Sequence, residues 1–157
     1  MRLWPTVLIV AALGVAAPAS AAGPWYIGGW KITAAVPAPW VEPGHPPDAR
    51  EKAALLGKTV WLRPGEIGGA RDFTCKDPHY QLTDFTADML FEGAFGEMHD
   101  TNAEQEPAKL ARSVGFVGKS WKTLETGCEI DWHFPNPKDL TTAKIGLNDW
   151  VYTLRKQ

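Results

Sequence analysis

Glu129, Asp131 and His133 stand at alternate positions of one run, and their side chains are of the types that hold divalent metals or carry protons. In an extended strand, residues two apart project to the same side about 7 Å from one another, so two carboxylates and an imidazole could share a cation. The same alternation has a plainer reading. Cys128, Ile130, Trp132 and Phe134 occupy the opposite side, and a polar face backed by an apolar one is what a half-buried antiparallel strand turns towards water. His45, His79 and His99 have no partner at a ligand spacing. A nucleophile elbow, a Gly-rich phosphate loop, an H-E-x-x-H helix and paired zinc ligands are all missing from the chain. The expectation is a protein that is not an enzyme and needs no cofactor, with Glu129, Asp131 and His133 as its one candidate metal site.

Tryptophan is the other chemically loaded residue. The chain has 8 of them in 157 residues, enough to fill a thin core with large rings or to line an apolar binding cavity. Trp30, Trp61, Trp121 and Trp132 fall in segments with strand character and are the candidate ligand-binding residues.

The first 21 residues have the pattern of a secretory signal peptide. Arg2 is followed by an apolar run over residues 3–17, and Ala19-Ser20-Ala21 supplies the small residues for cleavage before Ala22. A periplasmic or secreted, soluble protein is expected, with one domain over residues 22–157. Of 16 Lys plus Arg, Arg2 leaves with the signal; the remaining 15 against 18 Asp plus Glu give a net charge of −3. No basic excess marks a nucleic-acid surface, and no later apolar run nears the roughly 20 residues of a membrane span. In an oxidising compartment Cys75 and Cys128, the only cysteines, read as one disulfide rather than as a reactive thiol or a metal pair.

Short strands must position these groups. Residues 30–36 alternate Trp30, Ile32, Ala34 and Val36 with smaller or polar neighbours, and Pro37 and Pro39 end the run. A proline-rich loop follows, then a two-turn helix capped by Asp48 and Glu51 and stopped by Gly57. Strands are predicted over 59–63, 71–76, 79–82, 89–95, 119–125, 128–134 and 150–154, with a broad turn at 64–69 and a second helix over 106–114 opened by Pro107. Such a set favours a single small antiparallel β-barrel, closed or nearly so, because closure removes exposed edges.

Gly28-Gly29-Trp30 resembles the G-x-W signature of lipocalins. The resemblance implies an eight-stranded barrel in which Trp30 closes one end and Arg155, beyond the last strand, packs over its ring. A wider set of residues is similar to a group of uncharacterised exported proteobacterial proteins: Gly29-Trp30 with Ala38-Pro39-Trp40, residues 56–60, Cys75 with Pro78 and Tyr80, Leu90-Phe91 with Gly93, Cys128 with His133-Phe134, and Tyr152-Thr153-Leu154. That similarity implies export and a shared fold. The order of strand, cysteine and tyrosine over 73–80 is also similar to that of lysozyme inhibitors of the cell envelope.

Three functions follow as expectations. The first is a binding protein that holds a small, largely apolar ligand in a tryptophan-rich barrel. The second is a module that docks on a protein partner in the cell envelope, such as a cell-wall hydrolase, through loops at 40–47 or 96–105. The third is metal binding on the Glu-x-Asp-x-His face.

Overall fold

The computed structural model describes residues 23–42, 44–90 and 106–157. The predicted signal peptide, His99, the 96–105 loop and most of the strand expected over 89–95 lie outside these. In chain order the elements are β1 (Gly28–Pro37), α1 (Ala49–Leu55), β2 (Thr59–Arg63), β3 (Glu66–Gly68), a 3-10 turn (Arg71–Phe73), β4 (Cys75–Lys76), β5 (Gln81–Thr86), α2 (Ala87–Leu90), α3 (Pro107–Ser113), β6 (Ser120–Glu125), β7 (Trp132–His133), β8 (Thr142–Leu147) and β9 (Trp150–Lys156). No described helix is long and apolar enough to cross a membrane.

All nine described strands belong to one antiparallel sheet in the order β4-β3-β2-β1-β9-β8-β7-β6-β5. The sheet curls strongly into a half-barrel and does not close, which corrects the expected closed barrel. The chain between the two end strands explains the opening. Asp77 has a φ of 51°, which swings the backbone out of the extended region, and Pro78 has no N–H to donate to a ladder.

The connecting chain is held to both edges of the seam instead. Asp77 N–H donates to Gly65 O at 3.0 Å on one side, and His79 N–H donates to Thr126 O at 2.7 Å on the other. Tyr80 Oη reaches back to Arg63 O at 2.9 Å. The expected disulfide is present: Cys75 on β4 is joined to Cys128 in the β6–β7 connection, with Cα atoms 6.5 Å apart.

The concave side holds the main core, built on Trp30, Ile32, Val60, Leu62, Leu124, Trp132, Phe134, Ile145, Tyr152 and Leu154. These rings and branched chains fill the interior where a lipocalin-like barrel would hold its ligand. A second, smaller core lies on the convex side, where Leu110, Ala111 and Val114 of the α3 region pack with Ala87, Phe116, Trp121 and Val151. At one end of the half-barrel, Asp48 caps α1 by accepting from Arg50 N–H at 2.8 Å. Trp150 Nε1 donates to Asp48 O at 3.2 Å, and Leu55 is buried.

Several local readings change. A bulge between Ile32 and Ala34 shifts the β1–β9 register, so Trp30 and Ile32 are buried while Val36 turns out to solvent at 41% exposure. The broad turn is a two-residue Pro64–Gly65 hairpin between paired Arg63 and Glu66, followed by the short β3. Residues 71–73 wind into the 3-10 turn, with Phe73 N–H on Ala70 O at 3.0 Å, leaving only Cys75–Lys76 as strand. Met89 and Leu90 belong to α2. Lys156 covers Trp30 in place of Arg155: it is the register partner of Trp30, whereas Arg155 pairs with Lys31 and is exposed. Lys156 Nζ sits 5.2 Å from the indole ring centroid and donates to Ile27 O at 2.7 Å.

Gly69 has a φ of +108°, and a Cβ there would lie 2.2 Å from Thr59 O. Backbone lies against backbone, so no side chain can yield. Gly69→Ala is expected to cost roughly 1–3 kcal/mol, with chemical denaturation as the check and Gly65→Ala, which meets nothing within 4 Å, as the comparison.

Candidate functional site

The three residues of the candidate metal site part company. The strand that was to align them is only Trp132–His133, because the preceding loop folds on itself. Thr126 Oγ1 donates to Ile130 O at 2.7 Å and accepts from Cys128 N–H at 3.2 Å. Asp131 is half-buried, and its Oδ1 accepts from Thr126 N–H at 3.0 Å. Burial pushes its carboxyl above the usual range, and the Thr126 N–H works against that. Glu129 is exposed on the concave side of the seam.

His133 points the other way, into the convex core. Its ring lies 5.8 Å from that of Phe85 and 6.4 Å from that of Phe116, and its Nδ1 is 2.9 Å from Thr123 Oγ1. Among the described residues no three His, Cys, Asp or Glu side chains are grouped to hold a metal ion. The polar face read from the alternation is thus neither one face nor solvated at His133.

Burial pulls the His133 imidazole down to about 4. Its register partner Lys144 is also held below its ordinary value by burial, with Nζ donating to Thr153 Oγ1 at 3.0 Å. The folded state therefore keeps His133 neutral over a range in which the unfolded chain, with an ordinary histidine near 6.5, takes up a proton. Stability is complete above pH 6.5 and falls as pH drops towards 4, by on the order of 3 kcal/mol for this group. Denaturation of wild type and His133→Gln between pH 7 and 4 checks this: the slope is expected to flatten in the variant.

The four candidate tryptophans do not share a cavity. Trp30 is buried in the concave core, with Nε1 on Tyr26 O at 2.9 Å. Trp121 is buried on the convex side, 4.9 Å from Phe116 between ring centroids, with Nε1 on Val117 O at 2.8 Å. Trp61 is 41% exposed, with the Arg63 guanidinium 5.8 Å from its ring. Trp132 alone of the four borders a cleft, and its buried indole N–H has no hydrogen-bond partner among the described residues.

That cleft, of about 230 Å³, lies at the open seam. Ile67 of β3, Phe73, Ile130 and Trp132 supply its apolar wall, the Cys75–Cys128 bridge runs through it, and Asp72, Thr74 and Glu129 supply its polar groups. It exists because β4 and β5 fail to pair. The sequence carried a signal for it, since Phe73 with Cys75 and Cys128 with Ile130 and Trp132 form two apolar runs that one disulfide must bring face to face. A second cavity, of about 60 Å³, lies on the convex side beside Trp40, Phe116, His133 and Lys144, with room for a few waters at most. Trp40, in the loop proposed for protein contact, is tied down there by an indole N–H bond to Asn148 O at 2.7 Å.

No family model, curated protein or solved structure matches this chain.

Proposed function

We propose that this is an exported, non-catalytic binding protein, lipocalin-like at the level of fold, that takes a small, largely apolar molecule in the cleft at its seam. The observation that carries this reading is the pairing of an apolar, open-sided cleft with the partnerless indole N–H of Trp132. A buried donor left without an acceptor costs about 1–3 kcal/mol, so a ligand offering one acceptor recovers that cost on binding. The filled concave core leaves the seam as the place where an aromatic or branched aliphatic group can be accommodated. The disulfide accords with the periplasm or the exterior as the place of action.

Thr74 lines the cleft and is exposed, so a large side chain there fills the space without disturbing a core. Thr74→Trp is expected to weaken binding of a small aromatic carbonyl compound such as acetophenone at least tenfold in calorimetric titration. Trp61→Ala, away from the cleft, is expected to leave it unchanged. Equal affinity in Thr74→Trp and wild type would place binding elsewhere.

A second reading, docking on an envelope protein such as a cell-wall hydrolase, is favoured by the size of the cleft, which falls below the ~300–1,000 Å³ of most small-molecule sites and suits one inserted side chain. Inhibition of a lysozyme by stoichiometric protein, relieved by Thr74→Trp, is the result expected from it.

A further inference from the structure

We infer that the cleft selects positively charged ligands: a small organic ammonium ion with an apolar body. This rests on the cleft being the binding site. Its apolar wall is joined by two carboxylates, Asp72 and Glu129, and by no lysine, arginine or histidine.

Neither carboxylate makes an ion pair or a side-chain hydrogen bond among the described residues. Among the described residues, the ion pairs are those of His45, Arg50, Arg63, Arg112 and Lys122 with Glu42, Asp48, Glu66, Glu106 and Asp84. Asp72 and Glu129 are in none of them, and both are exposed. They come from different elements, Asp72 from the 3-10 turn and Glu129 from the β6–β7 loop, and the disulfide brings those elements to one cleft. In the adjoining depression Lys76 stands in register with Glu66, whose charge Arg63 already meets, so one lysine stands near the seam against the two carboxylates of the cleft. Two carboxylates against one lysine leave the charge at the seam negative on balance.

The aromatic members of the wall act in the same sense. The faces of Phe73 and Trp132 carry the negative part of a quadrupole, which attracts an ammonium group and most strongly a desolvated one. The Trp132 N–H is a separate contact, met weakly by the π face of a ligand ring and more strongly by an acceptor atom. A quaternary ammonium group suits the arrangement because its methyls tolerate apolar walls while its charge is felt by carboxylates at the mouth.

The test compares phenyltrimethylammonium with tert-butylbenzene, its uncharged isostere, by calorimetric titration of the full mature protein at 20 mM and 1 M NaCl. Each exposed carboxylate and each aromatic face contributes modestly, so the cation is expected to bind about tenfold more tightly at low salt. Screening should shrink that ratio severalfold at 1 M. Asp72→Asn with Glu129→Gln, exposed positions that make no side-chain hydrogen bond or ion pair among the described residues, is expected to bring the ratio near unity while tert-butylbenzene affinity holds. If the neutral compound binds as well as the cation, charge selection is overturned and the cleft reading stands. A cation preference that persists in the double variant overturns the assignment to these carboxylates. Binding of neither compound overturns both.

Discussion

Replacing Cys75 and Cys128 together by alanine lowers the free energy of unfolding by roughly 4 kcal/mol, the first of the two largest effects expected. The bridge joins residues 53 apart in sequence, so its removal frees a long loop in the unfolded chain. It also removes the cross-link that ties β4 to the β6–β7 connection over the seam. β4 is two residues long, and two register pairs with β3 hold it to the sheet. Without the bridge, β3–β4 and the loop at 126–131 are expected to lose hydrogen-exchange protection ahead of the β1–β9–β8 centre. A denaturation midpoint equal to that of wild type, with unchanged slope, would contradict this account of the seam.

Trp30→Ala is the second, with an expected loss of about 3–5 kcal/mol. The ring is fully buried, 5.9 Å from Phe134 between ring centroids. Its removal leaves a cavity in the concave core and strips Tyr26 O of the indole donor. It also takes away the ring beneath Lys156. Trp30→Phe keeps most of the packing and should cost about 1–2 kcal/mol, the value of the lost hydrogen bond and the smaller ring. Equal losses in the two variants would mean that the core relaxes around position 30 and that Trp30 does not organise it.

Trp30 also shows where the sequence was legible. Alternation marked β1, residues of strand character marked β2, β6 and β9, Asp48 marked the start of α1, and Pro107 and Gly115 bracketed α3, because in each case the local signal and the tertiary demand agree. β8 was missed. Its run TAKIGL offers only Ile145 and Leu147 as large apolar residues, and its best signal was the turn after it, where Asn148 takes a φ of 49° in a two-residue hairpin between Leu147 and Trp150. β3 was absorbed into a turn because Gly68 and Gly69 outweigh Ile67 in any local reading.

The candidate sites failed for a longer-range reason. Alternation tells that two residues share a face only while the strand lasts, and β7 ends after two residues. It does not tell which face is water. His133 was expected on the solvated side and lies instead beneath a second core, since α2 and α3 cover the convex surface of the sheet. Trp121 follows the same rule, being on the parity of His133 through the Thr123↔His133 pairing. The cleft itself depends on the failure of β4 and β5 to meet. Asp77-Pro78 separates the strands predicted over 71–76 and 79–82, but what that break opens is set by the curl of seven other strands.

The most direct test of the seam as a binding site is a titration of the mature protein, labelled with nitrogen-15 in its tryptophan side chains, with acetophenone and phenyltrimethylammonium, followed through the indole N–H signals. Binding at the seam predicts that the Trp132 signal moves and saturates while those of Trp61 and Trp121 stay in place. A saturating shift at Trp61 or Trp121 with Trp132 unmoved would contradict it.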